Sequence, residues 1–83
     1  MPKRLKDLVK IPLNEEKMIE FCKAKGLSDY ETEIIKRIYI HNQSLTFISL
    51  NMDFSVYGKP QQYYSIRSIN NFHKEAFLKL ISK

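Results

Sequence analysis

Four residues, Ser28-Asp29-Tyr30-Glu31, constrain this chain more than any other stretch. A serine followed three places later by a glutamate forms a capping box, in which each side chain satisfies a backbone N–H at the other end of a first helical turn. Gly26, two residues earlier, supplies the left-handed position at which a preceding helix stops. One short stretch therefore ends one helix and launches another, which runs on through Ile34, Ile35, Ile38 and Tyr39.

The remaining punctuation is also helical. Leu5, Leu8 and Val9 make a short amphipathic turn that Pro12 keeps from continuing. Asn14 can cap a helix whose first turn carries Glu15 and Glu16, acids that suit the positive end of the helix dipole. Leu13 and Met18 take the staple positions around that cap, and Met18, Phe21 and Cys22 form one face. Ser44 caps a shorter helix in which Leu45, Ile48 and Met52 point inward. Asp53 to Pro60, with its Tyr57-Gly58-Lys59-Pro60 run, reads as a loop. Pro60 suits the first turn of a last, long helix from Gln61 to about Ile81. Ile34 to Ile40 and Leu45 to Leu50 are apolar and rich in β-branched residues, but they lack simple alternation and the caps favour helix.

The expected fold is all-α: a small bundle of four to five helices forming one domain over residues 1–83, with 1–12 as a basic N-terminal arm. A chain of 83 residues has room for one core and none for a cleft between two domains. A single cysteine, Cys22, excludes an internal disulfide and a multi-cysteine zinc site, and points to a reducing, cytoplasmic setting. No apolar run is long enough for a membrane span. His41 and His73 lack metal-ligand spacing, Cys22 falls on an apolar face, and Glu15-Glu16 are explained by the dipole. The expectation is of no enzyme, no metal and no cofactor.

Two consecutive helices, a polar connection and a polar-faced third helix are the parts a helix-turn-helix needs, with the third helix presented to a DNA major groove. On the wheel of the last helix, Ile66, Ile69, His73, Ala76, Phe77 and Leu80 share one stripe, opposite Tyr64, Arg67, Ser68 and Asn71. Arg suits guanine, and Asn or Gln suits adenine, because each side chain matches two polar atoms on the base edge. Gln61, Tyr64, Ser65, Arg67, Ser68 and Asn71 are the candidate groove-facing residues, and Lys59, Lys74 and Ser44 the candidates for backbone positioning. The same polar face would serve equally as an ordinary solvated surface.

Residues Ser28 to Ser55 resemble region four, the C-terminal promoter-binding region of bacterial sigma factors, and related small phage and bacterial regulators. The likeness is carried by Glu31, Ile34-Ile35 and Tyr39-Ile40, then by Ser44-Leu45-Thr46-Phe47-Ile48-Ser49, Met52 and Phe54-Ser55. It covers about a third of the chain. Phe47 stands where that family tends to have an acid, and Ser49 where it has a small apolar residue. Val56 to Gln62 are inserted before Ser65-Ile66, the counterpart of the family's recognition-helix start. The resemblance implies double-stranded DNA binding and transcriptional control.

Charge is distributed to match. The formal charge is +5, and Phe54 to Lys83 holds Lys59, Arg67, Lys74, Lys79 and Lys83 against Glu75 alone. Lys3, Arg4, Lys6 and Lys10 face only Asp7 at the other end. Basic ends around a middle that carries most of the acids suit phosphate contacts. The competing expectation is a protein-interaction module of a phage or mobile element that docks on a host protein such as RNA polymerase, favoured by Phe47 and the apolar C-terminal helix. Phe72, Leu78 and Ile81 lie outside the main stripe and suggest a homodimer or docking contact.

Overall fold

The computed structural model describes Pro12 and residues 14–81, and the N-terminal arm and the Leu13 staple position lie outside those residues. Among those described residues there are four α-helices, α1 (Glu15–Ala24), α2 (Asp29–Tyr39), α3 (Leu45–Asn51) and α4 (Ile66–Ile81), with a 3-10 turn at Phe54–Tyr57. The fold is a small all-α bundle, and no strand occurs among the described residues.

Local cap chemistry sets most boundaries. Asn14 accepts a hydrogen bond from the Lys17 N–H (3.1 Å) at the start of α1. The helix closes with Gly26 N–H donating to Lys23 O (3.0 Å) and Leu27 N–H to Cys22 O (3.1 Å), a Schellman pair made possible by Gly26 at φ +83°. The Glu31 carboxylate accepts from the Ser28 N–H (3.0 Å) and hydroxyl (2.8 Å). Ser44 caps α3, accepting from the Phe47 N–H at 3.1 Å.

Two hydrophobic clusters share α2 and α4 as a common spine. Met18, Cys22, Leu27 and Ile35 pack with Ala76 and Leu80 from the last turns of α4. Ile34, Ile48, Met52 and Phe54 pack with Ile69 near its start. Adjacent isoleucines of α2 thus feed different clusters, and α4 is long enough to reach both.

The Glu31 carboxylate, almost fully buried, also takes a hydrogen bond from Lys79 Nζ (2.7 Å), tying the first turn of α2 to the last turns of α4. Burial raises the Glu31 pKa, but the Lys79 and Ser28 bonds outweigh it and hold the carboxyl below its usual range. Across the same two helices Tyr39 OH lies 3.0 Å from His73 Nε2, and burial lowers the histidine's pKa.

The last helix differs from the sequence expectation at its start. Residues 61–65 are not helical, and α4 begins at Ile66. Pro60 lies in an exposed bend instead of a first helical turn. The reason is tertiary: the Phe54 N–H donates to Gln62 O (2.8 Å), Ser49 Oγ to Tyr64 O (2.8 Å) and Gln62 Nε2 to Asp53 Oδ2 (3.1 Å). These bonds hold the connection against α3 and the 3-10 turn, a geometry a continuous helix could not satisfy. Two side chains change surroundings as a result. Ile66, expected on the buried stripe, is 45% exposed, while Phe72, expected uncovered, is partly buried in the α3-side cluster.

Candidate nucleic-acid interface

Helical spacing places Arg67, Asn71 and Lys74 at i, i+4 and i+7, one narrow stripe along the first turns of α4. All three are exposed, and among the described residues no hydrogen bond or ion pair engages their side chains. The stripe turns apolar one turn later, at Leu78, which is 61% exposed. Ser68 and Asn70 flank it, half-buried. Asn70 is absent from the sequence-derived set; its adjacency on the wheel to Lys74 and Arg67 was the signal available.

Most other cations are already engaged. Lys36 bonds Glu33 (2.7 Å) and Glu15 (3.3 Å), and Arg37 Nε bonds Glu33 (2.7 Å). Burial raises the Glu33 pKa, but these two cations more than offset it and the carboxyl sits below its usual range. Lys23 pairs with Asp29, and Lys79 with Glu31. Among the described residues, Lys17, Arg67 and Lys74 are the cations with neither a carboxylate nor a ring as partner. A paired cation must give up its carboxylate before it can neutralise a phosphate, and Arg67 and Lys74 need not.

The other residues expected at the interface have structural tasks. Gln61 is exposed but precedes the helix, and its N–H donates to Tyr64 OH (3.3 Å). Tyr64, expected to face the groove, is half-buried: its ring meets Phe54 edge-on at 5.0 Å and Phe72 at 5.3 Å, because the connection folds it back onto the core. Ser65 accepts from the Ser68 N–H (3.2 Å) at the start of α4, and its hydroxyl donates to Ser68 Oγ (3.1 Å). Ser44 is occupied as the α3 cap. Lys59 points its ammonium at rings: 4.7 Å from the Tyr30 centroid, 4.7 Å from Phe72 and 5.5 Å from Tyr64.

A second surface is apolar. Phe47 (47% exposed) and Leu50 (72%) lie on α3, followed by exposed Val56 in the 3-10 turn and Tyr63 in the connection. Between Ser44 and Gly58 the only charged side chain is Asp53.

For other chemistry the described residues offer little. No group of three His, Cys, Asp or Glu side chains is placed to hold a metal among them. Burial, only partly offset by Lys23, pushes the Cys22 thiol up to about 11, which keeps it protonated and unreactive at neutral pH. A shallow depression at the start of α1, lined by Asn14, Glu15, Glu16 and Ile19, contains no nucleophile paired with a base. No described helix is long and apolar enough to cross a membrane. No family model, curated protein or solved structure matches the chain.

Proposed function

We propose that this chain is a small transcriptional regulator that binds double-stranded DNA selectively through the outer face of α4, with α2 and α3 as the supporting platform of a helix-turn-helix. The observation that carries the reading is the unpaired Arg67, Asn71 and Lys74 stripe on a protein whose other cations are mostly committed to carboxylates or rings. A helix of this width enters a B-form major groove, where the guanidinium suits guanine and the amide suits adenine. Lys74, one turn further on, suits a phosphate. The likeness of Ser28 to Ser55 to sigma-factor region four supports the same reading, and α4 begins at the Ser65-Ile66 pair that likeness singles out.

Fluorescence anisotropy with mixed-sequence duplex DNA at about 50 and 200 mM salt tests it. Binding at low salt that weakens steeply at high salt is the expected result, because released counterions drive the contact. No binding at either salt overturns the reading and favours a protein-docking module, with a host protein such as RNA polymerase as partner. The apolar Phe47, Leu50 and Val56 surface is the observation behind that second reading. A homodimer through α4 would use exposed Leu78 and Ile81, and Leu78→Glu followed by light scattering tests it.

A further inference from the structure

Lys59 sits where three elements meet. Tyr30 comes from the first turn of α2, Tyr64 from the connection and Phe72 from the second turn of α4. The rings form a cluster of their own, with Tyr30 to Phe72 at 5.2 Å and Tyr64 to Phe72 at 5.3 Å, both edge-on. The Lys59 ammonium lies over all three, within the range where a ring quadrupole attracts a cation. Its backbone is held as well: Lys59 N–H donates to Phe54 O (3.1 Å), after Gly58 turns the chain at φ +92°.

We infer that Lys59 is a positioning residue of the α4 interface and not a phosphate contact: its ammonium clamps the 58–65 segment onto the ring cluster and so fixes where α4 begins. The functional half of this inference rests on the DNA reading; the clamp itself does not. With the clamp closed, Tyr64 is seated, its carbonyl stays on Ser49, and Ser65 is held at the position that caps the first turn carrying Arg67. Without it the connection gains freedom and the binding-competent geometry is populated less, which lowers apparent affinity by that fraction. A lysine that touched phosphate would behave differently, because its loss would also remove one counterion-release contribution.

Two measurements on the full chain test this. In the free protein, the Lys59 side-chain methylene protons next to Nζ should be shifted upfield by ring currents relative to those of exposed Lys17 and Lys74. Coincident shifts would overturn the clamp without any reference to DNA. In duplex titrations over a salt series, Lys59→Met should weaken binding about two- to tenfold. The slope of log affinity against log salt should stay at the wild-type value, and Lys59→Arg, whose guanidinium also stacks on rings, should restore the affinity. A slope smaller by about 0.9 in Lys59→Met would make Lys59 a phosphate ligand and overturn the proposal. Upfield-shifted Lys59 protons in a protein that binds no duplex would overturn both the DNA reading and the positioning role built on it, leaving the clamp as a feature of the fold alone.

Discussion

The α1 side and the α3 side of this molecule are built on the same two helices and finish their surfaces in opposite ways. Around α1 the core is Met18, Cys22, Leu27, Ile35, Ala76 and Leu80, and the charges along α2 are tied into pairs: Lys36 with Glu15 and Glu33, Arg37 with Glu33. Around α3 the core gains aromatic rings, with Phe54 at its centre and Tyr30, Tyr64 and Phe72 around it. The surface on that side is left unfinished, with apolar Phe47, Leu50 and Val56 exposed and Arg67, Asn71 and Lys74 unpaired at the start of α4. A charge held in an internal pair has less to offer a partner than one left unpaired. Under the proposed function, the contrast assigns recognition to the α3 side and scaffolding to the α1 side.

Core truncation should separate the two sides most strongly. Phe54→Ala and Met18→Ala each remove a fully buried side chain, at about 3–5 and 2–5 kcal/mol, from a domain whose total stability is of order 5–15 kcal/mol. Denaturant unfolding should register both. Compared at equal folded fraction, Met18→Ala should keep wild-type duplex affinity and Phe54→Ala should lose it, since Phe54 underlies Tyr64 and the start of α4. Equal losses would erase the contrast.

Next in size, Arg67→Ala should cost about 1–3 kcal/mol of affinity for a preferred site and leave the unfolding midpoint in place. Arg37→Ala should do the reverse, lowering the midpoint through Glu33 while sparing affinity. Thermal melts run beside anisotropy titrations decide both.

How much of this was legible in the sequence follows from the range of each interaction. Asn14, Gly26, Ser28 with Glu31, and Ser44 all act within a few residues, and each sits at the boundary it announces. Pro60 obeys no such local rule here. It fits a first helical turn, yet α4 starts six residues later because bonds from Ser49, Asp53 and Phe54 hold the connection. Those partners are distant in sequence, and no periodicity encodes them. The residues proposed for the interface divide the same way. Arg67, Asn71 and Lys74 follow from spacing alone, whereas Tyr64 and Lys59 had the right chemistry for nucleic acid and were drawn inward by rings from other elements.

On the side of the spine remote from Arg67, acid should act through Glu31. Its folded pKa lies below its ordinary value of 4.5, so its contribution is fully present above that value and is lost as pH falls through the folded one. Glu31→Gln should cost about 1–3 kcal/mol at neutral pH and flatten the acid limb of a stability–pH profile. An acid limb as steep as wild type would show that other groups carry it.

The smallest effect is expected at the end of α1. Gly26→Ala should lower stability by about 1 kcal/mol, all of it backbone strain at φ +83°, since an added methyl meets no atom within 4 Å. Duplex affinity should not change, which a titration of the folded variant checks.

Because the carboxylate that opens α2 is the same one that Lys79 grips, a cap that looks like a four-residue affair is in truth a knot between places 48 residues apart. Its other oxygen, Oε2, is buried without a partner among the described residues, so the negative charge there leans heavily on that one ammonium. Trimming a handful of residues from the tail would strand the charge and loosen the opening of a helix near the middle of the chain. The tail, in that sense, helps to write the beginning of α2.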